Sequence, residues 1–342
     1  MKKKQRTSKL RLAISMGDPA GIGGEVILKA LHRLDKKSES VAYIVVGSFE
    51  YLRALAQRWA IPFCYHRISS VPEAQTWTGS KGILDLGDYA RVPFGKISAT
   101  CGALAVQAIQ TSVDLIRNQW ADALVTAPIN KEAIHRSGCH FPGHTELLAS
   151  YTHSKSFAMM MVGGPFRIVL QSIHLSLTEA IQNVRPQLII EKLELTRVFL
   201  KKYFAIHRPK IAVAGLNPHA SENGAFGSEE NKILKPVIQR LQKKGWNISG
   251  PHPSDTLYYW ASKGHYDAIL AMYHDQGLIP LKLLAFDTGV NLTLGLPFVR
   301  TSPDHGTAFD IAGQGKADAQ SMISAIQLAQ FLAGNQKRAV PF

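Results

Sequence analysis

Short apolar runs alternate with amphipathic stretches along almost the whole chain. Residues 12–15, 41–46, 83–86, 123–126, 159–162, 168–171, 211–215 and 268–272 are largely apolar and of strand length. Such runs lack strict in–out alternation, which fits strands buried on both faces. Between them, residues 25–34, 49–59, 103–117, 187–204, 229–244 and 322–332 read as helices. In 103–117, for example, Leu104, Ala108, Ile109, Val113 and Ile116 recur at helical spacing. This alternation predicts an α/β fold with largely parallel sheets. Right-handed crossovers then bring the loops that follow strands to one side, where ligands bind. No internal repeat or low-complexity linker divides the chain, and a discontinuous two-lobe layout fits it.

The chain has 342 residues, more than one average domain, and an ordinary apolar content of 46%. Its net charge of +14 raises the question of a polyanion partner. Six of the basic residues, Lys2, Lys3, Lys4, Arg6, Lys9 and Arg11, stand at the very start, and removing them leaves about +8. A solvated basic terminus accounts for the excess. No basic–aromatic interleaving or zinc-finger spacing points to nucleic acid, and none is expected as a partner. No run of about 18 apolar residues suggests a membrane span. The basic start is followed by too short an apolar stretch for a secretory signal. Cys64, Cys101 and Cys139 are far apart and odd in number, so no disulfide framework is expected. A reduced, cytoplasmic protein follows.

The chemistry is densest in the last quarter, from Tyr273 to Gly315, which holds His274, Asp275, Lys282, Asn291, Arg300, Asp304, His305 and Asp310. It reads as loops punctuated by glycines, a setting that favours binding and catalysis. Upstream, Gly17-Asp18-Pro19-Ala20-Gly21-Ile22-Gly23-Gly24-Glu25 lies between a strand and a helix. It is either an anion cradle of backbone N–H groups or a tight strand–helix turn, and it matches neither GxGxxG nor the phosphate loop ending in Gly-Lys-Ser/Thr. His174, His219 and His274 each follow a strand, so three imidazoles could meet at one sheet edge and hold a divalent ion. Their spacing alone does not decide this, since no two of them form an HxxxH or HxH. Arg300, Lys282 and Asn291 offer donors for phosphate or carboxylate. Asp255 and Asp275 could serve as bases or orient a ligating histidine.

These segments together resemble the 4-hydroxythreonine-4-phosphate dehydrogenase family of vitamin B6 synthesis. The resemblance is carried by SMGDPAGIG, TAPINKEA, PGHTELLA, LNPHA with its trailing FGSEE, GPHPSDT, MYHDQGLIPLK, GVNLTLGLPFVRTSPDHGTA and DIAG. HGTAFDIAGQG also resembles the cofactor loop of the isocitrate and isopropylmalate dehydrogenase group. The resemblance implies a two-lobed α/β/α subunit of that group's fold. It also implies a homodimer, with the active site in a cleft near the subunit interface. The expected lobes are residues 1–127 plus 280–342 on the cofactor side and 128–279 for metal and dimerisation. Metal ligands would be His174, His219 and His274, with Zn, Mg or Co as the ion. Substrate contacts would be His144, Thr145, Lys282, Asn291 and Arg300. NAD or NADP would lie along His305, Gly306, Thr307, Ala308 and Asp310. Asp255, Asp275 and Lys282 are the candidate catalytic groups, with Asp255 the first choice of proton acceptor. Two departures from the family pattern stand out. Gly24 replaces a usual Pro, and Ser221-Glu222-Asn223-Gly224 replaces Gly-Glu-Gly-Gly beside His219.

The implied reaction is metal-dependent NAD(P) oxidation of 4-phosphohydroxy-L-threonine to 2-amino-3-oxo-4-phosphonooxybutanoate. This β-keto acid decarboxylates to 3-amino-2-oxopropyl phosphate. Within the family, oxidation of D-threonate or D-erythronate 4-phosphate competes with it. Outside the family, a metal-dependent hydrolase would also use three histidines and an acidic residue.

Overall fold

The computed structural model describes residues 9–34, 40–87, 89 and 92–339. The chain divides into two compact units. The first runs to His153 and resumes at Phe298–Gly334, and the second holds Ser154–Pro297 with the end of the chain. These boundaries fall later than the expected 127/128 and 279/280. Helices after residue 128 pack on the first unit, and the strand after residue 289 pairs within the second.

The first unit is built on β1 (Leu10–Ser15), β2 (Val41–Gly47), β3 (His66–Ile68), β4 (Lys81–Asp85), β5 (Ala123–Thr126) and β12 (Val299–Pro303). Their order is β3-β4-β2-β1-β5-β12 and every pair is parallel. All seven residues of β2 are buried, as the continuous apolar runs predict for a sheet covered on both faces. Helices α1 (Gly23–Leu34), α2 (Phe49–Arg58), α3 (Val71–Thr76), α4 (Ala99–Arg117), α5 (Lys131–Arg136) and α6 (His144–Tyr151) accompany them. So does the part of α12 (Gln320–Ala339) up to Gly334. The chain steps from β1 to β2 on one side, and β5 enters on the other. The switch point therefore lies between the ends of β1 and β5, the usual place for a ligand.

Two expectations change here. By length and composition α4 is apolar enough to cross a membrane. Its Gln and Ser residues break the apolar run but leave the helix apolar on average. Its buried face, including Leu104, Ile109 and Val113, packs on β1, β2 and β5, as in a core helix. Arg11 is not part of a solvated tail: it sits in β1, buried, and its guanidinium donates to the Ala74 carbonyl. Lys2, Lys3, Lys4 and Arg6 lie outside the described residues.

The glycine loop after β1 resolves as a turn. Several of its N–H groups are already used: Asp18 N donates to Pro128 O, Gly21 N to Asp18 O and Ile22 N to Thr307 O. Ala20 N donates to Asp18 Oδ1. Gly21 permits close packing, since a Cβ there would lie 2.8 Å from Thr307. Gly24 likewise admits α2, where a Cβ would meet Leu55 at 2.8 Å. The lost proline thus goes with closer helix packing. Glu25, fully buried, pairs with Lys29 at 2.7 Å and accepts from Ala317 N, while Lys29 also holds the carbonyls of Gly315 and Ala317. This ties α1 to the approach of α12.

The second unit holds β6 (Ala158–Gly163), β7 (Phe166–Leu170), β8 (Ile211–Ala214), β9 (Ile248–His252), β10 (Ala268–Ala271) and β11 (Val290–Leu294), in the order β11-β6-β7-β10-β8-β9. β7, β10, β8 and β9 are parallel, while β6 runs antiparallel to both β7 and β11. Its helices are α7 (Leu177–Gln182), α8 (Pro186–Lys202), α9 (Lys235–Lys243), α10 (Ser254–Ser262) and α11 (His274–Ala285). The last quarter is therefore not mainly loop. It carries α11, β11 and β12, which the glycines and prolines concealed. Pro280 is accommodated inside α11. Gly277 lets that helix approach the sheet, where a Cβ would lie 2.8 Å from Ile168.

One buried side chain ties the parallel strand ends together. Gln276 Oε1 accepts from Met272 N at 2.6 Å, and its Nε2 donates to Gly215 O at 2.6 Å and Ser254 Oγ at 2.8 Å. It thereby joins the exits of β10 and β8 to the start of α10. Gln276→Leu leaves two buried backbone groups unpaired and should lower the unfolding free energy by about 2–4 kcal/mol, read from urea denaturation. An unchanged denaturation midpoint denies the amide this role.

Asp18 makes a second prediction. It is fully buried, and burial pushes its carboxyl up to about 6, against the hydrogen bond from Ala20 N. The folded state then holds the proton more tightly than the unfolded chain. Stability from this group is fully present below the ordinary carboxyl value of 3.8, falls as pH rises through about 6 and levels off above it. The loss from this carboxyl is about 2–3 kcal/mol. Asp18→Asn should remove that slope, as measured by denaturation at several pH values. A mutant that keeps the wild-type slope assigns the slope to other groups.

Candidate functional site

At the switch point of the first unit, Arg300 on β12 is the largest fully buried side chain, with 2% exposure. Register places Arg300 beside Leu124 on β5, two residues before Thr126. Leu124 and Thr126 share one face of the strand, so the guanidinium lies towards the end of β5. Its Nε donates to Thr126 Oγ1 at 3.1 Å and its Nη2 to the same oxygen at 2.5 Å. Burial lowers the guanidinium pKa to about 9, with the Glu146 carboxylate acting in the opposite sense. It remains a cation at neutral pH.

His144 opens α6, preceded by Gly143. The residue is half-buried, but its Nε2 is buried without a hydrogen-bond partner. Burial, then the positive charge of Arg300, hold its pKa well below the usual imidazole value, while a hydrogen bond to the Ala127 carbonyl opposes them. With Nε2 unpartnered, Nδ1–H serves that carbonyl. Nε2 of the neutral ring is then a hydrogen-bond acceptor with nothing to accept from. Thr145 follows in the first turn of α6. Consecutive residues at the end of β5 therefore hold Arg300 and His144.

In the same unit, the predicted cofactor loop rests on the glycine turn through Thr307 O and Ile22 N, 3.0 Å apart. His305 Nδ1 lies 3.0 Å from Gly306 O, and its Nε2 is buried and unpartnered. Gly306 has open space where a side chain would stand. Ala308 takes φ 42°, and the Asp310 carbonyl accepts from Gln314 Nε2. An anchored loop with open space at Gly306 and an orphaned imidazole nitrogen fits a dinucleotide that reads backbone groups.

In the second unit the three histidines follow β7, β8 and β10, neighbouring parallel strands, so they leave the sheet at one edge. His174 and His274 face each other with ring centroids 6.0 Å apart. Two imidazoles on one tetrahedral ion, each bound at about 2.1 Å, would place their centres about 5–6 Å apart. Asp275 Oδ1 lies 2.6 Å from His274 Nδ1, which orients the ring and leaves Nε2 to bind outward. This pair suits a divalent ion. His219 does not join it: among the described residues no group of three or more His, Cys, Asp or Glu is placed to hold a metal. The reason is local. His219 to Asn223 all take positive φ, a left-handed turn that sets the His219 ring 6.2 Å from Phe226. Ser221 and Asn223 adopt φ of 69° and 59° where the family's glycines would sit without strain. The fully buried Glu230 anchors this turn, accepting from Leu216 N, Asn217 N and Asn217 Nδ2.

The remaining candidates divide. Asn291, on β11, has a buried Oδ1 with no partner, as a ligand contact would. The Lys282 ammonium, on α11, lies over the Phe286 ring at 5.3 Å. Asp255 stands exposed in the first turn of α10, with Oδ1 accepting from Thr256 N. Sequence reading missed Thr126, Asp18, Glu230 and Gln276 as working parts. Each lies inside a motif already singled out, but Thr126 meets Arg300 and Gln276 meets Gly215 O only across the fold, and no spacing announces these roles.

Comparison with known proteins follows this geometry. Residues 39–329 match the family described as pyridoxal phosphate biosynthetic protein PdxA. The chain is 43% identical over 325 residues to D-threonate 4-phosphate dehydrogenase of Salmonella typhimurium, covering 94% of this chain and 98% of that one. It is 43% identical over 320 residues to 4-hydroxythreonine-4-phosphate dehydrogenase of Beijerinckia indica, covering 93% and 94%. A crystal structure of the Klebsiella pneumoniae 4-hydroxythreonine-4-phosphate dehydrogenase superposes with TM-score 0.86 at 39% identity, covering 96% of this chain and 99% of that one. The buried arginine, the paired histidines and their motifs thus sit in a chain that belongs to the PdxA family of dehydrogenases.

Proposed function

We propose that this chain oxidises the secondary alcohol of a four-carbon hydroxy acid phosphorylated at C4, using NAD or NADP and a divalent ion. The observation that carries this is the buried Arg300 cation at the end of β5, whose charge acts on His144 with its orphaned Nε2. The first substrate is 4-phosphohydroxy-L-threonine, giving 2-amino-3-oxo-4-phosphonooxybutanoate and then 3-amino-2-oxopropyl phosphate. D-threonate 4-phosphate is a second reading, since relatives named for it match equally closely, at 42–44% identity. The hydrolase alternative is set aside because the relatives are named dehydrogenases.

When bound, the nicotinamide ring takes up the hydride and a divalent ion such as Zn, Mg or Co lowers the alcohol's pKa. The chain's own residues then have separate tasks. Arg300, Lys282 and Asn291 hold the phosphate and carboxylate, with Thr145 beside them in the substrate set. Neutral His144 accepts a hydrogen bond from the substrate through Nε2. His174 and His274 are the metal ligands that the geometry supports, and Asp275 orients His274. His219 is proposed as the third ligand on the family pattern alone. Asp255 is the proposed proton acceptor, reaching the alcohol directly or through one water. The loop from His305 to Asp310 receives the dinucleotide. All three cysteines are free, which agrees with a cytoplasmic enzyme.

A homodimer is also proposed. Along α11, Leu283 is 82%, Phe286 71% and Ile279 66% exposed, an unusual run of bare apolar side chains beside Lys282. A second copy would cover them.

The deciding assay follows absorbance at 340 nm with 4-phosphohydroxy-L-threonine, D-threonate 4-phosphate and D-erythronate 4-phosphate, with each nicotinamide and each metal. Arg300→Met should raise KM for the active compound by about 10²-fold. His274→Ala should abolish metal-stimulated turnover. Nicotinamide reduction with none of the three compounds defeats the proposal, and an unchanged KM removes Arg300 from the anion site. Leu283→Glu should convert a dimer to a monomer in sedimentation, and a mutant that stays dimeric places the interface elsewhere.

A further inference from the structure

To share one ion, the rings of His174 and His274 must keep the separation they have across β7 and β10. Pairing of those strands reaches Gln171 N, which donates to Ala271 O at 2.8 Å. Each histidine stands three residues beyond that bond, on a segment leaving the sheet. Asp275 sets the rotation of the His274 ring but does not fix the backbone beneath it. His274 opens α11, and Tyr273 in the N-cap position gives that helix no side-chain cap bond.

Gln276, in the same first turn, supplies the anchor. It is 8% exposed, and its amide uses its oxygen and its nitrogen together. Oε1 accepts from Met272 N at 2.6 Å, while Nε2 donates to Gly215 O at 2.6 Å and to Ser254 Oγ at 2.8 Å. Reversing the amide would turn its hydrogens against the Met272 N–H, so one orientation alone satisfies the site. The neighbouring Gly277 brings the turn close to the sheet, where a Cβ would lie 3.2 Å from that of Ala271. The turn that carries His274 is therefore fastened to the exits of both β10 and β8.

We propose that Gln276 is a positioning residue for the metal pair: its side-chain amide holds the first turn of α11 so that the His274 imidazole stays at chelating distance from His174. The inference rests on the reading of those two histidines as metal ligands. It separates Gln276 from a residue that serves stability alone. Such a residue would lower the denaturation midpoint and leave the folded protein's affinity for the ion unchanged.

The test loads the full chain with Co(II) alone and reads both its affinity and the visible absorption of the bound ion. Gln276→Leu removes all three bonds. Gln276→Asn keeps an amide but is one methylene too short to span Met272 N and Gly215 O. Leu241→Ala, a buried change at the far end of α9, is the control that lowers stability without touching the strand exits. Gln276→Leu should weaken Co(II) binding by about 10–100-fold and change the absorption bands. Gln276→Asn should weaken it by about threefold or more. Leu241→Ala should keep wild-type affinity and absorption although its urea midpoint falls.

Wild-type Co(II) affinity in folded Gln276→Leu overturns the proposal, and so does an equal loss in Leu241→Ala. If the leucine protein does not fold, Gln276→Asn decides in the same way. His274→Ala separates the two levels. If that variant binds Co(II) as tightly as wild type, the reading of the histidine pair has failed. If it loses the ion while Gln276→Leu keeps it, only the role of Gln276 has failed.

Discussion

In a parallel sheet the loops that follow the strands all leave at one edge, and the backbone groups buried there have no ladder partner. Each must be satisfied by a backbone group elsewhere or by a side chain. Three side chains meet this constraint here. Asp18 holds the turn after β1 through Ala20 N, and Glu230 holds the exit of β8 through Leu216 N and Asn217 N. Gln276 binds Met272 N and Gly215 O at the exits of β10 and β8. At the end of β5, Thr126 and Ala127 work in the other direction, lending an oxygen each to Arg300 and His144.

The same unit contains two cations held inside it, one half-buried and one fully buried. Lys29 meets the Glu25 carboxylate and two carbonyls, and its charge is spent on joining α1 to the segment before α12. Arg300 meets a hydroxyl. A paired ion of the first kind contributes to architecture. The imidazole of His144 stays uncharged, since a second cation beside Arg300 would raise the cost of burying both. An anion and a hydrogen-bond donor on one small molecule would suit this corner.

The second unit shows how far local backbone can redirect a motif. LNPHA sends His219 out beside the other two histidine-bearing strand ends, yet the left-handed turn through Asn223 carries its ring to Phe226. His174 and His274 approach each other because β7 and β10 are adjacent and their following segments are not so diverted. The departure from the family's glycines falls within this turn.

Much of the scaffold was legible in the chain. The runs at 41–46 and 123–126 announced buried parallel strands because both faces of those strands are covered, so every position is apolar. Arg300, His144 and the strand-end histidines stood out by residue type and motif. Glycine and proline misled where they serve packing rather than turns: Gly277 and Pro280 lie inside α11, so that helix was read as loop. Whether the glycine turn was an anion cradle could not be decided from its composition. That depended in part on Pro128 and Thr307, which take two of its N–H groups from distant parts of the chain. The sequence by itself determined the strand–helix order and the residue types available for chemistry, because periodicity and composition are local. Tertiary structure alone decided which groups are buried, which are paired and which are left to bind, because burial and pairing depend on contacts between residues far apart in the chain.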